Sequence, residues 1–193
     1  MENLDIIKQK IRHYYHHEYQ LDVTEICNKV QKYLNERQLT PNDLVIFDID
    51  DTIFSTYPFY EQRDFSRFKH PADLSLTVLP PIQPIIDLYF YILTLGINVI
   101  LMTGRYEMFR EHTVNELTKY NILAKTPYNN GYLTLIMREN ENKEPGSSFK
   151  YRHRKSLSRN YQIVANVGDQ DSDFYGGHNG YIVKLPNYMY YIK

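Results

Sequence analysis

Four short apolar runs punctuate the chain: Leu44-Val45-Ile46-Phe47, Asn98-Val99-Ile100-Leu101-Met102, Gln162-Ile163-Val164-Ala165-Asn166-Val167 and Tyr181-Ile182-Val183-Lys184-Leu185. Runs of this length, rich in Val and Ile, read as strands buried on both faces of a parallel sheet. Tyr132 to Met137 reads as a further strand. Helical periodicity separates the first three runs. Ile82, Ile85, Ile86, Tyr89 and Ile92 or Leu93 fall on one face of a helix from Pro81 to Leu95 that Gly96 closes. Met108 to Tyr120 reads as the next helix. Strands alternating with helices imply right-handed crossovers and a three-layer α/β domain.

The first 40 residues carry a different pattern, that of a helical extension. Leu4, Ile7, Ile11 and Tyr14 or Tyr15 recur at helical spacing. Asp22 is placed as the N-cap of a second helix, with Glu25 completing a capping box. Val23, Ile26, Cys27, Val30, Tyr33 and Leu34 form its apolar stripe. Thr40-Pro41-Asn42-Asp43 breaks it. Glu139 to Ser148 is charged, contains Pro145-Gly146, and reads as a loop.

In open α/β sheets the ligand site lies beyond the carboxyl ends of the strands. There the chain places Asp48-Ile49-Asp50-Asp51-Thr52, then Thr103-Gly104-Arg105, then Gly168-Asp169-Gln170-Asp171-Ser172-Asp173. Lys150 precedes the last of these. Asp48 and Asp50 are two apart and face one side of an extended chain. Asp169 adds a third carboxylate. Three carboxyls in one cleft repel unless a cation sits among them. Oxygen ligands without His or Cys point to Mg²⁺. Thr103 and Lys150 offer the hydroxyl and the positive charge that phosphate oxygens need.

Composition narrows the class further. The chain has 193 residues, enough for one domain that needs neither disulfide nor metal to hold its core. Cys27 is the only cysteine, which removes disulfide scaffolds and Cys-ligated zinc. Twenty-two basic and 23 acidic residues give a net charge of −1, so no broad nucleic-acid surface is expected. No apolar run approaches a membrane span. The opening Met-Glu-Asn-Leu-Asp has no apolar signal core, and a cytoplasmic location is expected.

The four polar clusters, in order, resemble the signatures of the haloacid dehalogenase (HAD) superfamily. Asp48-Ile49-Asp50-Asp51-Thr52 is similar to its first motif, Thr103-Gly104 to its second, Lys150 to its third, and Gly168-Asp169-Gln170-Asp171-Ser172-Asp173 to its fourth. Glu18-Tyr19-Gln20-Leu21-Asp22, Tyr57-Pro58-Phe59-Tyr60 and Lys184-Leu185-Pro186-Asn187-Tyr188-Met189-Tyr190-Tyr191 extend the resemblance to class B and IIIB acid phosphatases, including plant acid phosphatases and vegetative storage proteins. This implies one Rossmann-like HAD domain over residues 1–193, with the extension over 1–40 and a small cap-like insertion at about 53–80. It implies Asp48 as a nucleophile forming an aspartyl-phosphate and Asp50 as general acid and base. Thr103, Gly104 and Lys150 become phosphate ligands. Mg²⁺ is expected on the Asp48 side chain, the Asp50 backbone carbonyl and Asp169. The expected partner is a small phosphomonoester, nucleoside monophosphates being favoured. The sequence sets no oligomeric state.

Blander readings stand beside these. Asp51 reads as a solvated or capping carboxylate, Thr52 as loop support, and Asp173 as a group orienting the lysine or a metal-bound water. Arg105 reads equally as a substrate ligand or a surface ion pair. Lys155 rivals Lys150, because Tyr151 stands where the related motif carries Ser. His16 and His17 read as inert surface residues. Phe54, Tyr57, Phe59, Tyr60, Phe65 and Phe68 read as packing, with some free to stack on a flat leaving group. Basic Arg152, Arg154, Lys155 and Arg159 keep a phosphotransferase or a nucleic-acid end phosphatase as one rival. A non-catalytic storage or binding protein is the other.

Overall fold

A computed structural model describes residues 2–66, 78–141 and 143–192. Strand β1 (Asp43–Phe47) lies at the centre of a five-stranded sheet, flanked by β2 (Asn98–Tyr106) and β4 (Gln162–Gly168). Beyond β2 lies β3 (Thr134–Arg138), and beyond β4 lies β5 (Tyr181–Lys184), giving the order β3-β2-β1-β4-β5. Every pairing is parallel. All five residues of β1 are buried, as a central strand covered on both faces requires.

The alternation along β1 divides the core. Leu44 and Ile46 join Ile100, Met102 and Phe149 of helix α6 (Gly146–Leu157) on one face. Val45 and Phe47 join the larger cluster on the other face, with helices α2 (Tyr19–Asn35) and α4 (Gln83–Thr94). Helices therefore cover both faces, and the expected three-layer α/β/α architecture is what forms. Gly96, at φ +73 just past α4, supplies the left-handed residue that ends this helix without a Cβ penalty. The helix expected after β2 starts as a short 3-10 turn at Glu107–Phe109 and continues as α5 (Arg110–Lys119). The loop expected over 139–148 ends early, because α6 begins at Gly146 behind Pro145.

Helix α1 (Leu4–His17) and α2 meet at a single residue, Glu18, which ends one and caps the other. This corrects the expected cap at Asp22. Tyr19 already belongs to α2 because its ring stacks on Tyr15 at 4.8 Å, and burying that pair fixes the corner. Asp22 instead accepts the Tyr14 hydroxyl at 2.8 Å.

The two helices are no loose appendage. Tyr15 stacks face to face on Tyr57 of α3 (Tyr57–Gln62), with centroids 4.4 Å apart and planes 7° from parallel. His16 is not inert, since its Nε2 lies 2.9 Å from Glu61 Oε1 and 3.1 Å from the Tyr57 hydroxyl. The insertion expected at about 53–80 opens with the buried Ile53, Phe54, Tyr57 and Tyr60. Its middle, including Phe68, lies outside the described residues. The chain after β5 turns back across the sheet, held by Leu185 N–H to Gly168 O at 2.8 Å and Ile192 N–H to Gln170 Oε1 at 2.8 Å. Among the described residues no helix is long and apolar enough to cross a membrane.

Candidate active site

The sheet delivers its polar groups to one place. Asp48 is the first residue beyond β1, and its backbone N–H donates to Val167 O at 2.9 Å, which ties it to the end of β4. Asp48, Asp50, Gly104, Lys150 and Asp169 all line one cavity of about 510 Å³. Thr103, fully buried beside them, is oriented by its own neighbour. Its Oγ1 accepts the Arg105 N–H at 3.2 Å, leaving the hydroxyl proton for another acceptor. The expected site residues thus converge from β1, β2, α6 and the end of β4.

Lys150, not Lys155, is the lysine of this site. Its Nζ donates to Asp48 Oδ1 at 2.6 Å and to Asp173 Oδ1 at 2.5 Å, all three side chains being buried. Lys155 is exposed and lies over the Tyr151 ring. Arg154, one of the basic residues that keep the nucleic-acid rival, is buried and donates to the carbonyls of Asp173, Tyr175 and Gly177. Arg154 therefore leaves the basic cluster that a nucleic acid would meet.

The fourth cluster folds as a tight turn. Asp173 Oδ2 accepts the Gln170 N–H at 2.9 Å while its other oxygen meets Lys150. A Cβ at position 168 would collide with the Asp173 side chain, so glycine is what permits this approach. Asp173 thus contacts the lysine directly.

Asp48, Asp169 and Asp173 each present an oxygen, all within 4.8 Å of one another. Three carboxylates against one ammonium leave a formal charge of −3 + 1 = −2. Burial, with the Asp173 and Asp50 charges adding to it, pushes Asp48 up to about 7 against the pull of Lys150. Burial and the surrounding Asp173, Asp51 and Asp48 charges push Asp169 well above the carboxylate range. Burial alone draws the Lys150 ammonium down, but Asp173 and Asp48 reverse this and hold it protonated. A divalent cation matches this donor set in charge and in its all-oxygen chemistry.

Two expectations about the first cluster change. Of the two readings of Asp51, solvated or capping, the solvated one does not hold. Asp51 is buried, sits at φ 53, and accepts the Thr56 N–H at 2.8 Å, the Thr56 hydroxyl at 2.5 Å and the Tyr190 hydroxyl at 2.6 Å. These bonds hold a conformation that costs a non-glycine residue energy. Arg105 is not on the surface: it is buried at the cavity lining, and the expected ion pair is an internal one. Its guanidinium grips the Asp50 carboxylate through Nε and Nη2, the latter at 2.7 Å, and reaches Glu116 Oε2 through Nη1 at 2.7 Å. Thr52 is buried as expected of loop support, but its Oγ1 has no hydrogen-bond partner among the described residues.

Sequence reasoning missed several participants. Asn187 and Gln170 both donate to Asp169 Oδ2, at 2.7 and 2.5 Å. Tyr190 stacks on Tyr60 with centroids 5.4 Å apart, so the returning tail forms an aromatic wall of the cavity. The clue was present in Pro186-Asn187-Tyr188-Met189-Tyr190-Tyr191, too polar and aromatic for an idle terminus. No local pattern aimed it at the site.

The sequence matches, over residues 3–193, the family described as HAD superfamily, subfamily IIIB (acid phosphatase). It is 30% identical over 185 residues to vegetative storage protein 2 of Arabidopsis thaliana, covering 91% of this chain and 67% of that one. It is 27% identical over 183 residues to acid phosphatase 1 of Solanum lycopersicum, covering 90% and 69%. The chain spans about two thirds of the length of these curated relatives. The fold superimposes on the class C acid phosphatase of Bacillus anthracis with tungstate bound, with a TM-score of 0.73 at 16% identity, covering 96% of this chain and 86% of that one.

Proposed function

This chain belongs to the HAD superfamily, subfamily IIIB of acid phosphatases, and from that premise we propose that it hydrolyses small phosphomonoesters through an aspartyl-phosphate on Asp48. The observation that supports the reading is the Lys150 ammonium donating to Asp48 at 2.6 Å and to Asp173 at 2.5 Å, beside Asp50 and Asp169 in one cavity. A carboxylate held so closely by an ammonium has one oxygen anchored and the other free to attack.

In the first half-reaction that free Asp48 oxygen forms a bond to phosphorus as the bond from phosphorus to the ester oxygen breaks. Asp50 gives its proton to the departing alkoxide. Lys150, the Thr103 hydroxyl and the Gly104 backbone N–H receive the charge on the phosphoryl oxygens. In the second half-reaction Asp50 removes a proton from water. The resulting hydroxide attacks phosphorus, the bond to Asp48 breaks, and phosphate leaves.

Asp48 and Asp169, with the Asp50 carbonyl, are the groups that would hold Mg²⁺. The ion supplies positive charge that lets a phosphate dianion approach a carboxylate. Tyr60 and Tyr190, with Tyr106 elsewhere in the cavity lining, support a flat leaving group. Nucleoside monophosphates meet that description, since base–aromatic contacts contribute about 1–3 kcal/mol each.

The test is hydrolysis of 4-nitrophenyl phosphate and of nucleoside monophosphates by the purified protein with Mg²⁺. Turnover lost in Asp48→Asn and retained in Lys155→Ala is expected. The vegetative storage proteins among its relatives favour one other reading, a storage role. Protein that releases no phosphate from any of these esters, from acid to alkaline pH, decides for storage.

A further inference from the structure

Asp50 is held from behind. The Arg105 guanidinium offers Nε and Nη2 to its carboxylate, with contacts at 3.1, 3.1 and 2.7 Å, while Nη1 points the opposite way. There it meets Thr113 Oγ1 at 3.3 Å and Glu116 Oε2 at 2.7 Å, both on α5. The other carboxylate oxygen of Glu116 accepts the backbone N–H of Leu79 at 2.8 Å. Leu79 lies where the chain returns from the insertion towards α4, and is itself 1% exposed. Glu116 is also 1% exposed and is absent from the cavity lining, so it cannot reach a substrate.

We propose that Glu116 is a positioning residue for the phosphatase reaction. Through Arg105 it fixes the Asp50 carboxylate at the leaving group, and through Leu79 it ties that aim to the base of the insertion. The inference rests on the reading of Asp50 as general acid. A guanidinium is a rigid planar fork, so anchoring one edge fixes the direction of the other. Without the Glu116 charge, only the longer Thr113 contact at 3.3 Å steadies Nη1, and the Arg105 side chain can shift on its long stem and carry Asp50 with it. The anchor here is a charged and buried one, which makes it strong and costly to break. Burial alone favours loss of the guanidinium proton, and the Asp50 and Glu116 charges outweigh it, so Arg105 stays cationic. Misplacing Asp50 by a fraction of an ångström harms the steps in which it gives or takes a proton, and before phosphorus reaches Asp48 the only such step is protonation of the leaving group.

That selectivity gives the test. The value of kcat/KM covers the steps up to transfer of phosphorus to Asp48. An alkyl phosphate needs the proton for its leaving group, whereas 4-nitrophenolate departs without one. Glu116→Gln keeps the size and an acceptor for Leu79, but removes the charge that anchors Arg105. The two substrates are compared on one preparation, so any unfolded fraction cancels in their ratio. The expected result is that kcat/KM for the alkyl phosphate falls about tenfold further than that for 4-nitrophenyl phosphate. Glu116→Asp, which keeps the charge, is expected to recover part of the difference. Equal losses on both substrates, or no loss on either, overturn the role of Glu116. Asp50→Asn run alongside separates the two ideas. If it shows no leaving-group selectivity, the reading of Asp50 fails and the inference fails with it. If it does and Glu116→Gln does not, only the inference fails.

Discussion

The Lys150 ammonium donates to Asp48 Oδ1 at 2.6 Å across 102 positions of chain, joining α6 to the end of β1. The same ammonium meets Asp173, so one cation separates two buried carboxylates. Lys150→Met leaves both without it. Removing one partner of a buried ion pair costs about 3–5 kcal/mol, and urea unfolding without divalent metal is expected to show a loss of that order. Turnover is expected to fall at least about a hundredfold, since the same ammonium neutralises phosphoryl charge. A variant as stable and active as the parent would remove Lys150 from the site.

Asp48 and Asp50 separate by the step each controls. Asp48→Asn should abolish turnover, because an amide forms no aspartyl-phosphate. Asp50→Asn should slow breakdown of the intermediate, so that acid-quenched protein carries covalent phosphate visible by mass spectrometry. Substantial turnover in Asp48→Asn, with the folded spectrum of the parent, would reject the covalent route.

The parts of the site readable in the sequence are those carried by short segments of fixed local geometry. Asp48 and Asp50 flank one residue at the end of an apolar run, and the run alone announces β1. Lys150 was separable from Lys155 only by its place in the motif. Their opposite fates on α6, buried against exposed, depend on which face meets the sheet. Glu116 had no signature, because its role exists only once α5 lays it against Arg105. Asn187 and Tyr190 belong to a terminal pattern that was visible, yet their targets Asp169 and Asp51 were set by how the tail folds back. The corner at Glu18 was misread for a related reason. The capping signal at Asp22 and Glu25 is local, and burial of Tyr15 and Tyr19 overrides it.

Metal binding is testable without any substrate. Asp48, Asp169 and Asp173 leave an excess of negative charge that a divalent cation relieves. Adding Mg²⁺ to chelator-stripped protein should raise the unfolding temperature, by the equivalent of about 2.7 kcal/mol at a hundredfold excess over Kd. Asp169→Asn should abolish most of that rise, while Asp171→Asn should not. Asp171 is exposed and paired with Lys184 at 2.9 Å instead. An equal rise in both variants would place the ion elsewhere.

One hydroxyl of the returning tail contributes to stability on its own account. Tyr190 donates to Asp51 at 2.6 Å, and Asp51 is a buried carboxylate in a left-handed conformation. Tyr190→Phe keeps the ring on Tyr60 and removes only that bond. A buried acceptor left one donor short is expected to lose about 1–3 kcal/mol, measurable by denaturant unfolding. Tyr191→Phe is the control, since its hydroxyl reaches only the exposed Asp171. A Tyr190→Phe protein no less stable than Tyr191→Phe would show that Thr56 suffices to hold Asp51.

Cys27 offers a probe of the helical extension that is independent of the chemistry. It is buried on α2 at 3% exposure, and burial, helped by the Asp87 charge, pushes its thiol up to about 12 from an ordinary 9.0. The reactive form is the thiolate, so the folded protein suppresses reaction both by access and by protonation. Iodoacetamide at about pH 8 should label native protein far more slowly than urea-unfolded protein. The sign for stability follows from the same shift. The folded state holds the thiol proton more tightly than the unfolded chain does. Its contribution is therefore complete at neutral pH and is lost as pH rises from near 9.0 towards about 12. Rapid labelling under native conditions, with global unfolding still slow, would mean that α2 opens from α4 on its own. The extension would then be a separately fraying unit, not part of the larger core cluster to which Val23, Cys27 and Val30 belong.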